Sequence, residues 1–423
     1  MKVWHITLSP ESSAIISGIS NQISKGDVVV VAPDARIERL FDDVADKQLI
    51  KRADAKDELD LLGDYMKSLS AAPGYQAEVK STIAKIHSSL TEGMTWQVLD
   101  ESLINYLKAI LLTLTSKCAS SFIPGSVAID GREVVLCESN NGMPLINWKL
   151  TENNISRLDG ESVTVVAGGF GRKLQGDTID LGCGGTELTA NIIGAIKKAD
   201  TVVFVVESFT HEAIDELTYD EASQFFASGE PIYPPALTPV KNTEIPVEIY
   251  SAADSKVAVR IVKTPSVRNA NSITGVICSE PMTLVTIYGT GLLGSIGISS
   301  AIFGALAESD VNIHFISQSS SEYSISFAVK RTDRETAAEA LKALLTAARL
   351  SADLSYDAKE VKIVSVFGCR MRNVPGISGR IFTALGNAQV NIIASSQGGE
   401  ELSISIVVAE EEAEKAVAAL NEM

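Results

Sequence analysis

The sequence predicts an α/β chain: one large domain on a buried sheet, followed by two small, related modules. Three observations predict it. Short apolar runs alternate with helix-periodic segments over residues 1–262; a block of sequence returns at constant spacing in the last third; and a polar, Ala-rich segment closes each copy of that block.

In the first part, Val28–Ala32 reads as a strand, and Asp54–Ser68, Val79–Leu90 and Leu99–Leu114 read as helices. Further strands are expected at Val134–Leu136, Val163–Val166 and Thr201–Val206. Continuous Val-rich runs of this kind are buried on both faces, which points to a parallel sheet with helices on either side. Such sheets bind ligands beyond the carboxyl ends of their strands.

In the last third, Gly297-Ile298-Ser299, Ile302-Phe303, Ala305-Leu306, Val311-Asn312-Ile313, Ser317-Gln318 and Ser324-Ile325-Ser326 return as Gly376-Ile377-Ser378, Ile381-Phe382, Ala384-Leu385, Val390-Asn391-Ile392, Ser396-Gln397 and Ser403-Ile404-Ser405. The offset is 79 throughout (376 minus 297), without a gap. Each copy opens with an apolar strand (Leu284–Tyr288; Val361–Phe367) and a Gly-rich turn. A helix follows, with Ile298, Ile302 and Leu306, or Ile377, Ile381 and Leu385, on one face. Two alternating strands are expected next, Val311–Phe315 and Tyr323–Val329 in the first copy, and then a polar helix, Arg334–Ala347 or Glu410–Leu420. The first copy has a closing strand at Asp353–Tyr356; the second is one strand short, and an open sheet edge invites a partner. Ile273–Cys278 is the expected donor, so the domains read as 1–262, a linker and strand at 263–282, a first module at 283–358 and a second at 359–423.

A chain of 423 residues, 45% hydrophobic, supports two or three cores. Its net charge of -17 and pI near 4.8 repel nucleic acid and anionic membrane, leaving small metabolites as the expected partners. Five scattered cysteines fit neither a disulfide framework nor a zinc cluster, and imply a reducing cytoplasm. The run Leu103–Leu114 is too short to cross a bilayer, and no export signal opens the chain. His87, His211 and His314 lack metal spacing, so no metal site is expected.

The Gly-rich turn, Val311-Asn312-Ile313 and the stretch Ile316-Ser317-Gln318-Ser319-Ser320-Ser321-Glu322-Tyr323-Ser324-Ile325-Ser326-Phe327 resemble the ACT amino-acid-sensing domains of aspartokinases. The threonine-controlled class, including forms fused to homoserine dehydrogenase, is the most similar; the fusion itself is not expected on this chain. The resemblance implies ferredoxin-like βαββαβ modules that pair as a homodimer or higher and bind an amino-acid effector of the threonine or lysine class. Carried over by position, it singles out Gly291, Gly294, Ile298, Asn312 and Gln318, with Asn391 and Gln397 in the second copy. Neutral amides suit a zwitterion, because they address both of its ends without adding net charge.

Upstream, Val163–Gly171, Leu181–Ala190 and Asp215–Ala222 resemble the amino-acid kinase domain of the same family, which implies a three-layer αβα fold. It further implies ATP-dependent phosphorylation of L-aspartate to 4-phospho-L-aspartate, with ATP and Mg2+ as cofactors. Departures are concentrated at the phosphate end. The family's strand ending in KFGGTS is here Val3–Pro10, with His5 at the lysine position and no glycine; Cys183 and Glu187 replace an arginine and an aspartate; and Val205–Thr210 stands where the family has a longer nucleotide loop. Gly184, Gly185 and Thr186 remain as a small-residue loop opening a helix, a position suited to anions. Glu101 stands near a substrate-facing glutamate of the family, and Cys183 reads as a turn residue. Two functions follow: a feedback-controlled kinase with an eroded ATP site, or a non-catalytic sensing or regulatory homologue.

Overall fold

The chain divides into two units, Met1–Val267 and Arg268–Met423. The computed structural model describes residues 1–49, 54–96, 101–140, 143–158, 160–209, 214–226, 231–265, 273–348, 351–356, 360–368 and 371–423.

In the first unit the strands are β1 (Lys2–Leu8), β2 (Val28–Pro33), β3 (Val127–Asp130), β4 (Leu136–Asn140), β5 (Met143–Ile146), β6 (Thr164–Ala167), β7 (Phe170–Lys173), β8 (Thr178–Asp180), β9 (Thr201–Val206), β10 (Glu216–Thr218), β11 (Val247–Ser251) and β12 (Lys256–Val262). Eight of them form one sheet in the order β10-β12-β11-β9-β1-β2-β6-β3. From β11 to β3 every neighbouring pair runs parallel; β12 is antiparallel to β11 and closes that edge with β10. The inner strands are buried along almost their whole length, as their unbroken valine runs require. Alternation in β1 sends Trp4, Ile6 and Leu8 into a core shared with the helices Ser12–Ile19, Ala35–Leu49, Lys56–Ser68, Pro73–Trp96 and Glu101–Phe122. His5 points the other way, to the helix Gly185–Lys197. The sheet is thus sandwiched between two helical layers. A small sheet, β5-β4-β7-β8, lies beside it.

One buried carboxylate ties the start of β1 to the turn that leads into β2. Asp27, 3% exposed, accepts from the backbone N–H of Lys2 at 2.7 Å, the Trp4 indole at 3.2 Å and the N–H of Ser24 at 3.0 Å.

The expected strand Val134–Leu136 is displaced. Gly131–Val134 is a helical turn capped by Asp130, and pairing starts at Leu136. Gly131 explains the shift: a Cβ there would stand 2.1 Å from the carbonyl oxygen of Ala167, so only glycine brings the turn against β6. The helix expected at Val79–Leu90 extends to Pro73–Trp96, and that expected at Leu99–Leu114 continues to Phe122; it is described from Glu101, Leu99 lying outside the described residues.

The second unit holds β13 (Gly275–Cys278), β14 (Met282–Tyr288), β15 (Phe315–Gln318), β16 (Ser324–Lys330), β17 (Asp353–Tyr356), β18 (Val361–Phe367), β19 (Ala394–Gln397) and β20 (Ser403–Ala409). In the first module β14 lies between β16 and β17, with β15 outside β16. In the second, β18 lies between β20 and β13, with β19 outside β20. The strand that precedes the first module therefore sits in the sheet of the second, Gly275 opposite Phe367 and Cys278 opposite Val364. Each sheet is covered by two helices, Ile298–Glu308 and Arg334–Ala347, or Ile377–Asn387 and Ala413–Asn421. Ile302, Leu306, Phe327 and Leu341 centre one core, and Ile381, Leu385, Ile406 and Ala416 the other.

The strand expected at Val311–Phe315 is shorter than its apolar alternation suggests. The ladder begins at Phe315, and before it the His314 N–H donates to the Ala328 carbonyl. Val311 and Ile313 still pack on the core, so alternation marks burial here rather than pairing. The second module's last helix begins at Ala413, after a 3-10 turn at Glu410–Glu412. Among the described residues no helix is long and apolar enough to cross a membrane.

Candidate functional site

Two places gather the singled-out residues. The first is where the helix Gly185–Lys197 meets β1. His5 is 6% exposed, its ring centroid is 5.0 Å from that of Phe204, and its Nε2 is 3.1 Å from Thr186 Oγ1. Thr186 gives its only hydroxyl proton to Glu187 Oε2 at 2.8 Å. His5 Nε2 must then be the donor in the first bond, which fixes the tautomer. Burial lowers the His5 pKa and Glu187 only partly opposes this, so the ring is neutral near pH 7. The position is buried, polar and uncharged.

The turn before the helix is shaped by glycine. Gly184 is left-handed (φ 69°), and a Cβ on it would stand 2.5 Å from Tyr233 Cβ; the Gly182 N–H donates to Asp180 Oδ1 at 2.8 Å. A Cβ on Gly168 would meet Val30 Cγ1 at 2.8 Å and Thr186 Cα at 3.1 Å, so the two Gly-Gly turns lie backbone against backbone. The Gly169 N–H donates to Thr189 Oγ1 at 3.2 Å. Cys183 is exposed on the turn.

Carboxylates gather nearby. Partial burial raises the pKa of Glu38, an otherwise exposed residue; Lys108 opposes the rise, and Asp42, Asp180 and Glu187 add to it. Glu101 opens the helix Glu101–Phe122, and its side chain lies outside what the structure describes. Thr218, inside the third motif, caps the helix Tyr219–Phe225 in a reciprocal box with Glu221. His87 pairs with Asp54 at 3.2 Å, and His314 lies 3.5 Å from the Asn312 amide; Thr210, His211 and Cys369 fall outside the described residues. Among the described residues no three His, Cys, Asp or Glu side chains group as metal ligands.

A neutral buried histidine has a measurable signature. Its folded pKa is depressed, so the unfolded chain binds the proton first, and the stability present above about pH 6.5 is lost as pH falls towards the folded value. His5→Gln is expected to flatten the pH dependence of unfolding free energy between about pH 6.5 and pH 5 relative to wild type. Denaturant titrations across that range measure it, and parallel curves for the two proteins would refute the assignment of a neutral His5.

The second place is a pocket of about 280 Å³ in the first module. Residues Gly294 to Ser299 form its wall, Ile302 and Ile325 are apolar lining, and Gln318 and Glu322 supply side-chain polar groups. Gly297 is left-handed (φ 86°) and starts the helix Ile298–Glu308 with no side-chain cap; the Ile298 N–H donates to the Ser295 carbonyl at 3.3 Å, which leaves the next N–H groups of the first turn without a side-chain cap. Of the singled-out residues, Gly294, Ile298 and Gln318 line this pocket. Gly291 instead packs on the Ser351 backbone, to whose carbonyl its N–H donates at 3.0 Å. Asn312 is exposed ahead of β15, at the end remote from Gln318. In the second module Gln397 is exposed at the end of β19, and the Asn391 N–H donates to Glu412 Oε2 at 3.2 Å.

Sequence reasoning missed Glu322. Its Oε2 accepts from the Gly294 N–H at 3.0 Å, and the second copy repeats the bond from the Asn373 N–H to Glu401 Oε2 at 2.7 Å. Both glutamates lie 79 residues apart (401 minus 322), as do both donors (373 minus 294), and both glutamates have φ 57°. The signal that could have found it was the return of the same acid at the repeat offset.

The ACT domain family matches residues 285–345 and 364–423. A chloroplastic bifunctional aspartokinase/homoserine dehydrogenase 1 of Zea mays is 30% identical over 318 residues, 69% of this chain and 34% of the relative. Aspartokinase 2 of Bacillus subtilis is 28% identical over 294 residues, 65% of this chain and 71% of the relative. The crystal structure of E. coli aspartokinase III in complex with lysine and aspartate superposes with a TM-score of 0.83 at 18% identity, covering 100% of this chain and 99% of that one. This chain spans between 23% and 36% of the length of the bifunctional relatives that it matches.

Proposed function

From a chain that belongs to the aspartokinase family and carries ACT domains, we propose an amino-acid-sensing protein whose family reaction, transfer of a phosphoryl group from ATP to L-aspartate, runs slowly. Residues 1–262 are assigned to the kinase-like domain, 283–358 and 359–423 to the sensing modules, and 263–282 to the linker and the strand shared with the second module.

The observation that carries the sensing half is the pocket where the Gly-rich turn, the start of the helix Ile298–Glu308 and the end of β15 meet. The uncapped backbone N–H groups at the helix start suit a carboxylate, and Gln318 offers a neutral donor and acceptor. An effector of the threonine or lysine class fits that inventory. Pairing of modules from two copies is part of the same reading.

The slow half rests on His5. A transferring phosphoryl group is stabilised by positioned positive charge. The side chain at the family's lysine position is neutral and buried, and its hydroxyl partner is already bonded to a carboxylate. The triphosphate of ATP, with its Mg2+, does not fit that arrangement, although the loop Gly184–Gly185–Thr186 keeps the helix N-terminus that would favour an anion. The same geometry favours a second reading, a non-catalytic regulatory homologue that keeps only the sensing modules.

Coupled ADP release with L-aspartate, ATP and Mg2+ is expected to fall well below the roughly 1–100 per second usual for kinases. One of threonine, lysine and methionine is expected to raise the melting temperature, since a ligand at 100 times its Kd contributes about 2.7 kcal/mol. Turnover in the ordinary range would overturn the slow half, and no stabilising amino acid would overturn the sensing half.

A further inference from the structure

The two faces of β15 meet different neighbours. Consecutive side chains of a strand point to opposite sides of the sheet, and Gln318, opposite Ile325 in the ladder, lines the pocket of the first module. Phe315 and Ser317 lie on the other side. Phe315, 6% exposed, packs in an apolar cluster with Val361, Ile363 and Val407 of the second module. The Ser317 hydroxyl donates to the Ser395 carbonyl of β19 at 3.1 Å, across 78 residues of chain. Ser396, the repeat counterpart of Ser317 (317 plus 79), makes no such bond among the described residues. The tie therefore runs one way, from the strand that walls the pocket to β19, which pairs in the ladder with β20 alone.

We propose that Ser317 is a regulatory link: an amino acid bound in the first module's pocket holds the end of β15 in place, and Ser317 passes that restraint to β19, which then opens less often. The link rests on the reading of this pocket as the effector site. An edge strand held by one ladder is among the first segments of a fold to open, because it has the fewest backbone partners to lose. A hydroxyl donor whose own strand is fixed opposes that opening. The coupling is reciprocal: the form with β19 detached binds the amino acid less tightly by the factor through which the amino acid suppresses detachment. Because the detached form is rare, the affinity of the native chain barely depends on Ser317, which separates a link from a pocket residue.

The test is hydrogen–deuterium exchange read by mass spectrometry on the full chain, with and without saturating L-threonine, L-lysine or L-methionine, in wild type, Ser317→Ala and Ser317→Thr; calorimetry gives the affinities. In wild type the amino acid that binds is expected to slow exchange over residues 394–409, which hold β19 and β20, by at least about fivefold, the low end of couplings between sites. S317A is expected to keep that amino acid's affinity within about twofold and to lose the slowing beyond the first module. S317T, which keeps the hydroxyl, restores the slowing. Unchanged slowing over β19 and β20 in S317A overturns the link, as does a wild type in which binding protects only the first module; either result leaves the effector reading standing. An S317A protein that also loses its affinity overturns the link too, since the serine would then belong to the pocket. If none of the three amino acids binds wild type, the effector reading and the link fall together.

Discussion

Replacing Asp27 by alanine is expected to lower the stability of the first unit by about 3–5 kcal/mol, a large share of what a domain has to spare. Three donors converge on its carboxylate, the backbone N–H of Lys2, the indole of Trp4 and the N–H of Ser24, and Trp4 is itself 1% exposed. Alanine leaves the indole N–H in a dry interior with nothing to receive it, and frees the start of β1, which lies between β2 and β9. Asp27→Asn is the informative partner. Its amide oxygen keeps an acceptor while the charge goes, so a smaller loss is expected, roughly half. Urea titration followed by tryptophan fluorescence measures both, and an alanine variant within 1 kcal/mol of wild type would refute the role given to Asp27.

Gly184→Val is expected to cost a similar amount, about 3–4 kcal/mol, by a different route. The left-handed backbone (φ 69°) penalises any β-branched residue, and the new Cβ would stand 2.5 Å from Tyr233 Cβ, so the segment carrying Tyr233 must move. Gly182→Ala is the control, because its φ is 78° but nothing lies within 4 Å of an added Cβ. Backbone strain alone should then cost about 1 kcal/mol. Denaturant midpoints for the pair separate close packing from conformation, and equal losses at the two positions would remove the packing argument.

The fold class was legible because its signals are local or repeated. Valine runs mark buried parallel strands from their own letters, and the offset between Gly297 and Gly376 places two modules without any knowledge of their contacts. The helix Ala35–Leu49 was also within reach, since Ile37, Phe41 and Val44 stand at helical spacing and all are buried. The small sheet β5-β4-β7-β8 was not, because strands of three to five residues owe their pairing to partners distant in sequence. At the pocket the sequence named Gly294, Ile298 and Gln318, which resemblance could place, and passed over Glu322, which sits in a run of serines and acts through one backbone N–H. At His5 the sequence gives only a substitution. Its neutrality depends on burial and on the direction of the Thr186 hydroxyl, which no motif encodes.

The placement of β13 has a practical consequence for anyone wishing to cut the paired modules free. A fragment begun at Met282 would keep every residue of both repeats and still expose one flank of β18, because Gly275–Cys278 is what covers it. Such a naked flank recruits other chains, so the shorter piece should precipitate or swap segments where one begun at Ile273 stays monodisperse. Nor can the two halves of the repeat be separated by a single scission, since the polypeptide enters the later module, leaves to build the earlier one, and returns.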